Sequence, residues 1–515
     1  MGAEASDLSA GAEAGDLSVG AATLECMFDY RLSTYFEPAD TAESRATLWE
    51  IAAATREENR AAARRLAAIG KLFEMRRAEC GENADWAVDT WAVVGAEVAA
   101  VLRVSLGKAG SFMHYAQAMQ RLPAVSEVFA DGAIDMLVFQ TVVYRTALIT
   151  DEDVMAEVDR RIAERTARWP SMTRGRLARE IDRIVFKRDP EAVRRERERT
   201  RDRDVTIWEP ADGTADLSGR LFATDAHLLD KRLDALAATV CDNDPRTLPQ
   251  RRADALGALA AGADRLSCRC EGTGCTAAAP TGPTSASSGV VIHVVAEKAA
   301  LDGNSEQPGY LLGADALIPA EVLRDIAPLA EQRPLREPVD GVAEKGYRPS
   351  PSLIDFVRAR DLTCRAPGCD QPAIDCDVDH TVPHSRGGCT HASNLKCLCR
   401  FHHLVKTFWG WRDRQLPDGT VIWTLPDGQT YVTTPGSALL FPTLLAPTVG
   451  PPTPPVCPPS GERSLKMPRR KFSRARNRAR YVADERARNR REIEAARAPE
   501  KPETPEQPGD DPPPF

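Results

Sequence analysis

The chain has no uninterrupted apolar run of the roughly 20 residues that a membrane-spanning helix needs. Its most apolar window, residues 86–104, is broken by Asp89, Glu97 and Arg103 and reads as a buried core helix, so no membrane association is expected. The opening residues lack the basic start and apolar run of a secretory signal. They form instead a short acidic repeat, GAEASDLSA echoed by GAEAGDLSV, and residues 1–44 read as a disordered acidic lead. There is no overall basic excess either: the net charge is −8, which excludes a simple basic nucleic-acid binder. With no export signal, the thirteen cysteines point to a reducing, cytoplasmic setting, where clustered thiols serve as metal ligands more often than as disulfides.

What is present fits a folded, multidomain chain. Hydrophobic residues make up 43% and charged residues 28% of 515, enough to bury cores, and at roughly 100–200 residues per domain two or three folded units are expected. Residues 46–330 read as a mainly α domain with small β elements. Ala62, Leu66, Ile69 and Phe73 recur at helical spacing, as do Leu177, Ile181, Ile184 and Val185, with Thr173 placed to cap the second helix. Residues 205–208 and 217–222 flank a turn at Asp212 and Gly213 and suggest a hairpin; residues 290–295 read as a strand and 319–329 as a short helix. A linker is expected at 331–349, then a compact α+β unit at 350–435 that ends in a hairpin around Asp427 and Gly428. Residues 446–515 read as a proline-rich linker followed by a basic, then acidic, disordered tail. The charge is lopsided: residues 463–497 carry 14 lysines and arginines against 4 acidic residues.

The stretch CRAPGCDQPAIDCDVDHTVPHSRGGCTHASNLKCLCRFHHLVK, residues 364–406, carries the chemistry. Cys364 and Cys369, followed by Cys399 and His402, are two pairs of soft ligands at spacings that suit a tetrahedral structural zinc. Cys376, Cys389 and Cys397 compete for the assignment, Cys397 most seriously with Cys399. The same stretch holds Asp379 and His380, then Asn394, then His403. Phosphodiester hydrolysis needs a base for water and a hard cation for the developing charge; histidine suits the first, and carboxylate, amide oxygen and imidazole the second. Neighbouring residues on a strand face opposite ways, so Asp379 and His380 share a site only at a strand end or bulge.

DHTVPHSRGG, then NL, then LCRFHH and K resemble the HNH endonuclease family, a ββα-metal finger stabilised by structural zinc. The resemblance implies a metal-dependent DNA endonuclease with a C-terminal α+β HNH domain. His380 would be the general base. Asp379 and His403 would hold a catalytic divalent ion, Mg or Mn, and Asn394 would orient the base or join the metal site. Cys364, Cys369, Cys399 and His402 would bind zinc. The C-x4-C first pair departs from the C-x2-C of many relatives. Another stretch, SGRLFATDAHLLDKRLDALAA and DPRTLPQRRADALGALAAG, resembles the helical domain of unknown function often placed before HNH modules in actinobacterial proteins. The alternative function is a non-catalytic, zinc-stabilised nucleic-acid-binding or regulatory protein.

Weaker signals remain. Residues 97–115 could form a helix-turn-helix presenting Lys108, Ser111 and His114 to a groove, or an ordinary helical hairpin. Cys268, Cys270 and Cys275, with His293, could form a second zinc site or be reduced loop thiols. His384 and His391 lie in the motif loop, where they could approach substrate, but read first as solvent-exposed loop histidines. In the basic segment, Arg469, Arg470, Lys471, Arg474, Arg476 and Arg478 are candidate phosphate contacts on a solvated helix, without the aromatic interleaving of a stacking platform.

Overall fold

Apolar residues three and four apart build the helices of the N-terminal part. A computed structural model describes residues 40–166, 169, 172–194, 203–208, 214–270, 272, 275, 291–314, 316–450 and 466–497. The acidic repeat, the turn at residues 212–213, most of the 273–289 break, most of the proline-rich stretch and the acidic terminus lie outside them. The chain divides into two units, Met1–Glu57 and Glu58–Phe515. In the first, the described residues open helix α1 (Ala42–Cys80), where the side chains of Thr41 and Ser44 accept each other's amides.

In the second unit the rest of α1 buries Ala63, Leu66, Ile69 and Phe73. Helix α2 (Thr90–Leu102), capped by Asp89, is the buried window that reads as a core helix in the sequence. Ser105 caps α3 (Leu106–Arg121), and α4 (Pro123–Ala130), α5 (Met136–Arg145) and α6 (Glu152–Thr166) follow. The first turn of α4 is capped from a distance: Asp159 on α6 accepts the amides of Ala124 and Val125 at 2.7 and 3.0 Å. Helix α7 (Arg174–Phe186) is capped by Thr173 and buries the expected Leu177, Ile181, Ile184 and Val185.

The connecting region is thinner. Strands β1 (Asp204–Trp208) and β2 (Asp216–Arg220) pair antiparallel and are exposed along their length. Helices α8 (Ala223–Ala237) and α9 (Leu248–Ala260) form a hairpin, and β3 (Val294–Val295), β4 (Gly309–Leu311) and β5 (Ala316–Ile318) a small antiparallel sheet with helices α10 (Lys298–Leu301) and α11 (Ala320–Ile326). Of the strand expected over 290–295, the described residues 291–295 form strand only at the last two, which pair with the short β4. Helix α12 (Pro351–Asp361) then leads into β6 (Cys376–His380), β7 (Leu395–Cys399), α13 (Arg400–Phe408) and a meander of β8 (Arg412–Gln415), β9 (Val421–Thr424) and β10 (Thr430–Thr433), with Gly428 at positive φ in the expected hairpin.

Two expected tethers are structured. The end of residues 331–349 is tied down where Glu344 pairs with Thr390. The basic segment, placed by sequence in a disordered tail, contains helix α14 (Arg474–Arg497) seated on the helical domain. Arg470 and Arg474 engage Asp89, Arg486 engages Asp189 and Glu191, and Asn489 donates to the carbonyls of Glu191 and Val193. Met467 and Val482 are buried with them. Charge-assisted bonds to carboxylates and carbonyls, joined to apolar burial, hold a segment whose composition alone favours solvent.

Candidate functional site

Two turns of chain bring four ligand-type residues together. Gly368, at φ 69°, reverses the chain between Cys364 and Cys369. Cys399 is the N-cap of α13 and His402 lies in its first turn. The three sulfurs and one histidine nitrogen lie within 4.8 Å of one another. Cys399 Sγ is 3.3 Å from His402 Nδ1, Cys364 Sγ 3.7 Å from it, and Cys369 Sγ 3.9 Å from Cys399 Sγ. A tetrahedral ion with metal–sulfur bonds of about 2.3 Å sets sulfurs about 3.8 Å apart. This cluster could therefore hold a structural metal ion. Two competing thiols have other partners: Cys397 points toward the Val357 carbonyl, and Cys376, which also borders Cys364, donates to those of Gln371 and Pro372. Burial pushes the Cys397 thiol well above its usual range.

The antiparallel pair β6–β7 sets Asp379 opposite Lys396 and His380 opposite Leu395. The two-residue period of a strand puts Asp377 and Asp379 on one face, and α13 lays His403 across it. His403 Nδ1 is 2.8 Å from Asp377 Oδ2, and Nε2 is 3.3 Å from Asp379 Oδ1. The other Asp379 oxygen is held by two ammonium groups, fully buried Lys396 at 2.9 Å and Lys406 at 2.7 Å. Asp413 on β8 closes the group, 2.5 Å from Lys396 and 3.2 Å from Lys406. Burial pushes Asp379 up, but Lys396 and Lys406 outweigh it and hold the carboxyl well below its ordinary range.

His380 ends β6, where a strand face is free to turn, and it has partners of its own. Its Nε2 is 3.0 Å from Thr390 Oγ1, while that hydroxyl is 2.6 Å from the Gly346 carbonyl. The hydroxyl proton goes to the carbonyl, so Thr390 accepts from Nε2–H, and the imidazole lone pair is on Nδ1. Tyr347 stacks on the ring at 5.4 Å and 14°, and His384 meets it edge-on. Burial lowers the His380 pKa to about 4, with His384, Lys396 and Lys406 adding to it and Asp379 opposing.

Asn394 does not join Asp379 and His403. Its Oδ1 accepts the Val382 amide, and its Nδ2 donates to the carbonyls of Val382 and Cys389. Three backbone bonds leave the carboxamide fastening the loop after β6. His391 also departs from expectation: it is buried, bonded to Ser393 and to the Val339 carbonyl, whereas His384 is exposed as expected. Sequence reasoning missed Asp377, Lys396, Lys406 and Asp413. The Asp-x-Asp alternation, and a lysine inside the apolar strand LKCLC, were the available signals.

A family model described as a domain of unknown function, DUF222, matches residues 53–361. The chain belongs to the DUF222 family. It is 44% identical over 490 residues to "Uncharacterized protein Rv3776" of Mycobacterium tuberculosis (strain ATCC 25618 / H37Rv), covering 90% of this chain and 93% of that one. To "Uncharacterized protein Rv2100" of the same strain it is 45% identical over 478 residues, covering 84% and 86%. No solved structure matches. The DUF222 match covers most of the helical region and runs on through 331–349 and α12.

Elsewhere in this DUF222 protein, α2 and α3 meet at 112°, and the turn between them packs on the first cysteine pair, with Gly368 close to the carbonyls of Ala99 and Val104. That contact favours helical packing over groove reading. Among the described residues no single helix is long and apolar enough to cross a membrane; only α2 and α3, taken together as that bent pair, pass on length and composition. Trp409 at the end of α13 donates to the Val88 carbonyl and meets Trp86 edge-on at 5.8 Å. Of the six candidate phosphate contacts, Arg470 and Arg474 are spent on Asp89, and Arg469 lies 3.2 Å from Asp85. Lys471 and Arg476 lie over the ring of Phe472, and Lys471, Arg476 and Arg478 are exposed. A second cluster that could hold a metal joins Cys268, Cys270 and Cys275 to Cys241, and His293 is not part of it.

Proposed function

We propose that this DUF222 protein is a metal-dependent DNA endonuclease of the HNH type that hydrolyses phosphodiester bonds. One observation carries the reading. A ββα unit ends its first strand on a neutral, oriented histidine beside an aspartate and a histidine that converge from strand and helix. His403 Nδ1–H donating to Asp377 would leave Nε2, 3.3 Å from Asp379 Oδ1, to bind an ion shared with that carboxylate. A carboxylate and an imidazole lone pair set this close are a donor set for a hard divalent ion, and Asp377 is the outer carboxylate that fixes such a histidine. Asp379 and His403 would hold Mg or Mn, which would supply positive charge for the phosphorane-like state and leaving oxygen. His380 takes the proton of the attacking water at Nδ1, and Thr390 and Tyr347 hold the ring for that transfer. Cys364, Cys369, Cys399 and His402 bind structural zinc and fix the start of α13. Arg476 and Arg478 are the exposed cations offered to DNA phosphates.

The test is plasmid cleavage by the purified chain across divalent metals, with His380→Ala beside wild type. Loss of a general base is expected to slow cleavage by about 10²–10⁴-fold while zinc content is retained. Full activity in the variant overturns the assignment of His380. A second reading, a non-cutting nucleic-acid-binding or regulatory finger, is favoured by one feature: Lys396 and Lys406 already occupy Asp379 Oδ2. Salt-sensitive DNA binding without cleavage of duplex, single-stranded or branched DNA in any metal would select it.

A further inference from the structure

We infer that Cys241, Cys268, Cys270 and Cys275 form a second metal site, a mononuclear zinc held by four thiolates that staples the α8–α9 hairpin. The inference is independent of the nuclease reading, which uses none of these residues. Cys241 follows the end of α8, and the other three follow α9, so the four meet only because the helices run antiparallel. All four sulfurs lie within 4.8 Å of one another. Cys241 Sγ and Cys268 Sγ are 3.5 Å apart, far beyond a disulfide bond of about 2.05 Å and near the edge of a zinc–sulfur tetrahedron, about 3.8 Å. Four donors around one point also leave no open position for a reactant, the mark of a structural site.

Two further observations point the same way. Backbone amides aim at the sulfurs: Asn243 at Cys241, Cys270 at Cys268, and Gly272 at Cys270, each two residues on from its thiol. The frame around the cluster is also built without help from the metal. The buried Asp244 carboxylate accepts from the Arg246 guanidinium and from the Arg269 amide, and Arg246 also reaches Asp254 on α9 and the Ser267 carbonyl. The segments carrying Cys241 and Cys268 are thereby clamped side by side.

The hairpin has a reason to need a staple. Over residues 214–270 the buried apolar side chains are Leu236, Ala237, Ala255, Leu266 and Cys268. So small a core cannot offset the entropy of ordering two helices and their connections, which is where small units recruit metals. Soft thiolate donors in tetrahedral array select zinc over hard cations. Binding converts thiols to thiolates and releases their protons to solvent, with no change of oxidation state.

Elemental analysis of the full-length chain purified under reducing conditions tests this. Wild type is expected to carry about two zinc ions, and Cys241→Ser/Cys270→Ser about one. Cys369→Ser should lose the other ion and keep this one, so failure here and failure of the finger assignment are separable. Because the double variant could unfold, Cys241→His provides a check. It retains four donors, so it should keep zinc and, after exchange for cobalt(II), shift the visible absorption of the tetrahedral ion. Limited proteolysis should cut residues 214–270 of the double variant while sparing α1–α7. The inference is overturned by equal zinc content in wild type and double variant, by iron in place of zinc, by an unshifted cobalt spectrum, or by a denatured mass short of the hydrogens lost to disulfides among these cysteines.

Discussion

Replacing Lys396 by methionine probes the charged group beneath the candidate site. Lys396, Lys406, Asp379 and Asp413 form a group of two cations and two anions, and Lys396 is wholly buried between both carboxylates. Methionine matches the stem but removes the charge, leaving two carboxylates to share Lys406. Removing one partner of a buried ion pair typically costs about 3–5 kcal/mol, because the orphaned charge is stranded out of water. The strand pair β6–β7 should open more readily by that amount, so native-state hydrogen exchange of the β7 amides should speed up by about 10²–10⁴-fold. Adding Asp413→Asn restores neutrality, and the double variant should recover most of the loss, a coupling that a packing defect alone would not show. Exchange in Lys396→Met within a few-fold of wild type, or no recovery in the double variant, would refute the argument.

Asp159→Ala should cost about 2–6 kcal/mol in chemical denaturation, since it orphans the buried Val125 amide and the half-buried Ala124 amide of α4 at about 1–3 kcal/mol each. Wild-type stability matching the variant's would show that the distant cap is dispensable. Glu97, buried beside Arg76, has its pKa raised above its usual 4.5, chiefly by burial. The folded state holds that proton more tightly than the unfolded state, so its contribution is present below pH 4.5 and is lost as pH rises through the higher folded value. Glu97→Gln should therefore flatten the fall in melting temperature above pH 4.5, and identical pH profiles would count against the shift. Replacing Arg476 and Arg478 by glutamine should make the log-affinity against log-salt plot for duplex DNA shallower by about 0.9 per lost phosphate contact. An unchanged slope would remove α14 from the DNA-binding surface.

What could be read from the sequence was mostly local. The helix faces at Leu66 and Ile181 follow from a 3.6-residue period, Thr173 from cap chemistry, and Gly428 from hairpin chemistry. The set Cys364, Cys369, Cys399 and His402 was legible because soft ligands are rare and their spacing is restrictive. What stayed hidden depends on pairing across the chain. Asn394 has the chemistry of both a ligand and a loop clasp, and only the positions of the Val382 and Cys389 backbone decide between them. Lys396 gains its meaning from a register that sets it opposite Asp379. Cys241 lies 27 residues before Cys268, too far for a motif to join them. The acceptors that seat α14, Asp89 and Asp189 among them, lie hundreds of residues earlier, so composition alone made the segment look solvated.

The contact of Gly368 with the carbonyls of Ala99 and Val104, and of Trp409 with Trp86 and Val88, bears on how such proteins can be rearranged. A finger cut out near residues 350 and 435 would carry away half of a joint, with a tryptophan and a bare glycine turn that its next host would have to cover. Chimaeras that exchange the finger alone should therefore be poorly soluble, whereas those that move residues 86–105 with it, from Trp86 through α2 and its turn, should be tolerated. The unit of inheritance, in this view, is the joint together with the finger, and recombination between relatives should be productive where it leaves both faces in one parent.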